Sequence, residues 1–72
     1  MAISDSILSP SLLGCTVTVV ESIIGYPIER TGTVIGVLQA LPGSRCNASI
    51  LLDEGHDCDF YDSEDIDQLI VL

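Results

Sequence analysis

Residues 50–72, with the sequence ILLDEGHDCDFYDSEDIDQLIVL, combine two apolar runs with an acidic segment between them. Eight of the eleven acidic residues of the chain lie between Asp53 and Asp67, and no Lys or Arg is among them. We therefore expect the upstream residues to form a scaffold that presents this acidic segment.

A strand is predicted within the acidic segment, because polar and apolar side chains alternate there. The alternation places His56, Cys58 and Phe60 on one face of residues 56–61, and Asp57, Asp59 and Tyr61 on the other. We expect the first three to point inward and the aspartates to lie outside. Asp62 or Ser63 then caps a short helical turn through Glu64 and Asp65, and residues 69–72 form a last strand.

Three further strands are predicted upstream, over residues 15–21, 31–41 and 46–53. Gly25 and Pro27 favour a loop over residues 22–30, whereas Gly32 and Gly36 indicate bends within a strand. The short turn after residue 41 predicts that the second and third strands pair as a hairpin. The third strand should place Ala48, Ile50 and Leu52 on one face.

The N-terminal arm, residues 1–14, contains four large apolar side chains: Ile7, Leu8, Leu12 and Leu13. Pro10 prevents a continuous helix across it. We expect the arm to pack on its own domain, and a dimer or partner surface is the alternative.

Together these elements predict one all-β domain, a small five-stranded barrel over residues 15–72 with one short helical turn before the last strand. The pattern resembles the SH3-like small barrels, a superfamily that includes Tudor and KOW domains. The resemblance depends on Val17, Val19, the GTVIGV run at 32–37, ILLDEG at 50–55, Phe60-Tyr61, and Asp65-Ile66 ahead of Leu69. The ligands of the superfamily are not implied, because a Tudor-like cage needs more aromatic residues and KOW-type RNA binding needs basic ones.

The net charge of −9, with Arg30 and Arg45 as the only fixed cations, opposes direct contact with nucleic acid or anionic lipid. It favours a protein partner with a basic surface, because complementary fields steer encounter. The alternative is that the charge only keeps a small apolar protein soluble.

Three cysteines form an odd count, and residues 1–14 do not resemble a secretion signal, so we expect a cytoplasmic protein. A structural zinc site is a further alternative, with Cys15, Cys46, His56 and Cys58 as ligands. A calcium loop built from Asp57, Asp59 and Asp62 lacks the usual ligand spacing. No cofactor is predicted.

Catalysis is not predicted, because the single histidine, His56, lies among acids and no nucleophile motif surrounds any Ser or Cys. We expect a non-enzymatic binding module whose partner-binding residues are Asp57, Asp59, Tyr61, Asp62, Glu64, Asp65 and Asp67.

In size and charge the chain is similar to phage-encoded inhibitor proteins, among them anti-CRISPR proteins and nucleic-acid mimics. That resemblance implies a basic, nucleic-acid-handling partner. The competing hypothesis is an assembly module, in which Leu8, Leu12, Leu13 and residues 69–72 form a homomeric interface. A monomer and a homodimer both remain open.

Overall fold

The computed structural model describes residue 3 and residues 5–72 of the chain. All five strands belong to one antiparallel sheet with the order β4-β3-β2-β1-β5. The strands are β1 (Thr16–Ile23), β2 (Tyr26–Leu38), β3 (Ser49–Asp53), β4 (Cys58–Asp62) and β5 (Gln68–Val71). Two 3-10 turns, Asp5–Ile7 and Pro10–Leu12, precede β1. The predicted all-β, five-stranded fold is confirmed.

Strand β2 belongs to both halves of the sheet. Residues 26–33 pair with β1 and residues 33–38 pair with β3, with a register shift between Val34 and Gly36. Such a bulge bends a strand, as the prediction at Gly36 required. Gly32 serves a close approach instead, because a Cβ there would lie 2.4 Å from the Asp53 carbonyl oxygen. The sheet thereby curls around one core, and its free edges are β4 and β5.

The core lies inside this curved sheet. Its buried apolar side chains are Leu8, Leu12, Val17, Val19, Val34, Ala48, Ile50, Leu52, Tyr61 and Ile66. Ala48, Ile50 and Leu52, predicted to share one face of a strand over residues 46–53, are all buried, although β3 begins only at Ser49.

The N-terminal arm is part of the same core. Leu8 is fully buried and Leu12 is nearly so, whereas Ile7 and Leu13 remain exposed. The Ile3 amide donates hydrogen bonds to the carbonyl oxygens of Ser63 and Ile66, at 3.2 and 3.0 Å. Docking of the arm on its own domain is therefore confirmed, and Leu8 and Leu12 are not available for the homomeric interface of the assembly hypothesis.

The prediction of a loop over residues 22–30 is wrong. This stretch continues β1 and β2 into a hairpin in which Ile23 pairs with Tyr26, so only Ile24 and Gly25 connect the strands. Both connecting residues have positive φ, 51° and 79°, as a type I′ turn requires. Pro27 is tolerated because this part of β2 pairs with β1 alone, which leaves one side of the strand free of ladder hydrogen bonds.

The predicted faces of the fourth strand are reversed. Ile50 pairs with Tyr61 and Leu52 with Asp59, so Asp59 and Tyr61 share the inward face. Tyr61 is buried, whereas Cys58 and Phe60 are exposed. The strand also begins at Cys58 instead of His56. Because side chains alternate along a strand, a shift of one residue in the pairing register moves every inward side chain to the outward face.

The helical turn predicted before the last strand is a single hydrogen-bonded turn over residues 63–65. The amides of Asp65 and Ile66 both donate to the Asp62 carbonyl oxygen, at 3.0 and 3.2 Å. The turn reverses the chain after β4 and buries Ile66 in the core. It also places Asp65 close to the free edge of β4.

Candidate partner-binding surface

The acidic segment is mostly exposed, as predicted. Five of the predicted partner-binding residues are exposed: Asp57, Asp59, Asp62, Glu64 and Asp65. Asp67 is half-buried and accepts a hydrogen bond from the Ser22 hydroxyl. Glu64 Oε2 accepts one from Asn47 Nδ2 at 3.1 Å.

Tyr61, predicted as a partner contact, is instead a core residue that is only 6% exposed. Its hydroxyl donates a hydrogen bond to Glu54 Oε1 at 3.0 Å. Burial, followed by this hydrogen bond and the Glu54 charge, raises the pKa of Tyr61 to about 12. Tyr61 therefore supports the surface from beneath, and its hydroxyl stays protonated at neutral pH.

The exposed acids are divided between the two faces of β4. Asp59 pairs with Leu52 on the inward face, whereas Asp62, three residues further on, pairs with Ser49 on the outward face. The exposed acids of residues 57–65 consequently form more than one surface, and among these five Asp59 and Asp65 line one cleft.

This cleft has a volume of about 270 Å³ and lies between β4 and the β1–β2 hairpin. The β1–β2 hairpin contributes Glu21, Ile23 and Arg30, β4 contributes residues 59–61, and the following turn contributes Asp65. Side chains of consecutive strand residues point to opposite faces. Three consecutive residues of β4 can line one cleft only where the cleft runs along the edge of the strand.

Arg30 and Glu21 are diagonal neighbours across the β1–β2 hairpin, because Arg30 pairs with Val19 and Glu21 pairs with Ile28. Arg30 Nε lies 3.5 Å from Glu21 Oε1, and Glu21 is 18% exposed against 41% for Arg30. Arg30 Nε is buried and finds no hydrogen-bond partner among residue 3 and residues 5–72. Arg30 neutralises the carboxylate of Glu21, so the remaining negative charge of the cleft comes from Asp59 and Asp65.

The hairpin side of the cleft was missed by sequence reasoning. A loop over residues 22–30, as the sequence pattern predicts, does not include the strand pairing that brings Glu21 close to Arg30. The available signal was Gly25, because a Gly at the second position of a two-residue connection is typical of a hairpin turn.

The hypothetical zinc ligands are not brought together. Across the described part of the chain, no three His, Cys, Asp or Glu side chains are arranged to hold a metal ion. All three cysteines are free thiols, with Cys15 half-buried and Cys46 and Cys58 exposed. Partial desolvation, followed by the charges of neighbouring carboxylates, raises the pKa of the Cys58 thiol. This opposes the thiolate form that zinc requires.

Comparison with known proteins provides no relative: no protein-family profile, no curated protein and no solved structure matches the chain. In addition, no helix within the described residues is long and apolar enough to cross a membrane.

Proposed function

We propose that the chain is a non-enzymatic protein-binding module, which binds a partner with a basic surface through the acidic residues of its C-terminal third. The observation that supports this most is the segregation of charge. Five carboxylates are exposed along residues 57–65, whereas the two arginines lie outside this segment and Arg30 pairs with Glu21.

Holding many like charges on a small domain weakens the folded state by mutual repulsion. The same arrangement strengthens attraction to a basic groove and speeds encounter with it. Carboxylates spaced along a strand and a turn present negative charges to such a groove as phosphates would. A partner that handles nucleic acid suits this surface, and an inhibitor of the phage type, either an anti-CRISPR protein or a nucleic-acid mimic, is the form of the function we favour.

Affinity capture from a bacterial lysate tests the proposal, with the immobilised chain at low and at high salt. We expect basic nucleic-acid-binding proteins to be captured at low salt and released by salt or by added duplex DNA. Asp62→Lys should reduce the captured amount by about fivefold, because it reverses a charge inside the exposed segment.

Glu29→Lys is the matched control, since Glu29 is exposed on the β1–β2 hairpin and the substitution changes net charge by the same amount. We expect it to retain most of the captured protein. Equal losses for both variants, or capture that DNA does not displace, would contradict the proposal.

An assembly module is a second candidate, now restricted to the free edge of β5. Ile70, Val71 and Leu72 are 38%, 56% and 71% exposed there, and residues 68–72 carry no charged side chain. Exposed edge strands of this kind pair with other chains. Light scattering that reports a dimer, lost in Ile70→Lys, would favour assembly over the acidic binding module.

A further inference from the structure

We propose that the cleft between β4 and the β1–β2 hairpin binds one extended segment of a basic partner protein, which adds as a strand to the free edge of β4. This inference deepens the proposed function and rests on it. It assigns the recognition to Asp59, Asp65 and the backbone of residues 59–61, and leaves the other exposed acids a steering role.

The free edge is the first argument. β4 pairs with β3 along one edge. Along its other edge, no backbone hydrogen bond joins residues 59–61 to a described residue outside β3. A strand edge without a neighbour presents unpaired N–H and C=O groups, and extended peptides bind to such edges through main-chain hydrogen bonds. Because the cleft follows this edge, a bound strand would occupy the cleft.

The charge around the cleft selects the partner's side chains. Glu21 is paired with Arg30, but the carboxylates of Asp59 and Asp65 form no hydrogen bond or ion pair with another described residue. Both are exposed and line the same cleft. A Lys or Arg side chain of the incoming strand would neutralise them, and charged hydrogen bonds of this kind are stronger than neutral ones.

The walls and the size of the cleft agree with a peptide. Ile23 and Phe60 are 43% and 69% exposed, and they offer apolar surface to the aliphatic part of a Lys or Arg side chain. A volume of about 270 Å³ lies below the range of typical small-molecule sites, roughly 300–1,000 Å³. One or two side chains of a bound strand would fill it.

Binding of a defined probe tests the inference by fluorescence anisotropy. The probe is a labelled eight-residue peptide of alternating Lys and Thr, and its partner is the same peptide with every second amide N-methylated. We expect the first to bind and the second to bind at least about tenfold more weakly, because N-methylation removes edge hydrogen bonds without changing the charge.

Neutral variants then locate the site. Asp59→Asn and Asp65→Asn should each lower the affinity for the unmethylated peptide about tenfold. Asp57 and Glu64 are exposed acids outside the cleft, so Asp57→Asn and Glu64→Gln should change this affinity less than about twofold. Backbone amide NMR shifts should concentrate at residues 59–61. Circular dichroism of each variant checks that the fold is retained.

Two outcomes would overturn the inference. If both peptides bind equally and the four neutral variants weaken binding alike, the acidic surface attracts cations without a strand site, and the proposed function survives. If neither peptide binds, the cleft is not a peptide site, and the lysate capture with Asp62→Lys and Glu29→Lys still decides the proposed function independently.

Discussion

The β1–β2 and β3–β4 hairpins are both antiparallel, but they differ in length, in the connection between their strands and in the side chains that they expose. Eight residue pairs and a two-residue turn extend β1–β2 beyond the core, whereas five pairs and a four-residue connection keep β3–β4 short. The long hairpin has exposed apolar residues at its tip, while the short one combines the buried Tyr61 with exposed acids. Turn chemistry thus sets where a hairpin ends, and packing sets which face is buried.

The largest expected effect tests the buried face of the short hairpin. Tyr61→Ala should lower the free energy of unfolding by about 4 kcal/mol, because it empties a core site, whereas Phe60→Ala should change it by less than about 0.5 kcal/mol. Urea denaturation of both variants measures this. Similar losses for the two would mean that the face assignment of β4 is wrong.

Gly32 lies where the two hairpins meet, and its substitution should have the next largest effect. A Cβ at Gly32 would lie 2.4 Å from the Asp53 carbonyl oxygen, whereas a Cβ at Gly36 would lie 3.3 Å from Leu51 Cβ. Gly32→Ala should therefore cost about 3 kcal/mol, since backbone must move, and Gly36→Ala about 1 kcal/mol. A smaller loss for Gly32→Ala in the same urea experiment would show that β2 and β3 separate easily at this point.

Alkaline pH should destabilise the protein through Tyr61. Its pKa is raised from 10.0 to about 12 in the folded state, so the folded state holds the proton more tightly than the unfolded chain. The associated stability is complete below pH 10 and is lost as pH rises through about 12, with a loss of roughly 2 kcal/mol by pH 12.

Unfolding free energies measured between pH 9 and about 12 check this expectation. Tyr61→Phe should remove most of the alkaline decrease, because no hydroxyl is left to ionise at that site. The exposed Cys58 thiol, whose pKa is also raised, accounts for the remainder. Tyr26→Phe is the matched control on the long hairpin, where the side chain is 73% exposed. If the Tyr26 variant instead removed the decrease, Tyr61 would not be its source.

The smallest effect concerns the turn of the long hairpin. Ile24 has a φ of 51°, which a β-branched residue adopts only with strain, and its side chain is 92% exposed. Ile24→Asn should raise the unfolding free energy by roughly 1 kcal/mol, because Asn-Gly suits a type I′ turn. Gly25→Ala should lower it by about 1 kcal/mol through backbone strain alone, since a Cβ there meets nothing within 4 Å. Thermal midpoints of the two variants should move in opposite directions, and a destabilised Ile24→Asn would indicate that the exposed Ile24 side chain makes a needed contact.

Local pattern was sufficient for much of the fold. The alternation at 46–53 correctly predicted that Ile50 and Leu52 share one face of β3, and both are buried. The predicted pairing of the second and third strands is confirmed, but residues 39–48 connect them, so the expected short turn is wrong. Local pattern was insufficient for residues 22–30, because Gly25 and Pro27 are compatible with a loop and with a hairpin alike. Pairing with β1 stabilises the hairpin, and that contact is not visible in a local pattern.

The acidic surface, like the fold, is predicted in part by the sequence and determined in part by strand pairing. The excess of carboxylates and the shortage of cations are properties of the sequence, and so is the expectation of a basic partner. The sequence does not show which acids lie on the same surface, because Asp59 and Asp62 are close in sequence yet lie on opposite faces of β4.

Side-chain alternation and composition are enough to predict an all-β chain of five strands, a shared face for Ile50 and Leu52, and the acidic character of residues 53–67. Contacts between strands distant in sequence determine that Tyr61 is buried and Phe60 exposed, and they bring Glu21, Arg30, Asp59 and Asp65 to one cleft. The physical reason is that alternation defines two faces without saying which one is buried. That choice depends on pairing between distant strands, whose register places Tyr61 opposite Ile50 in the core.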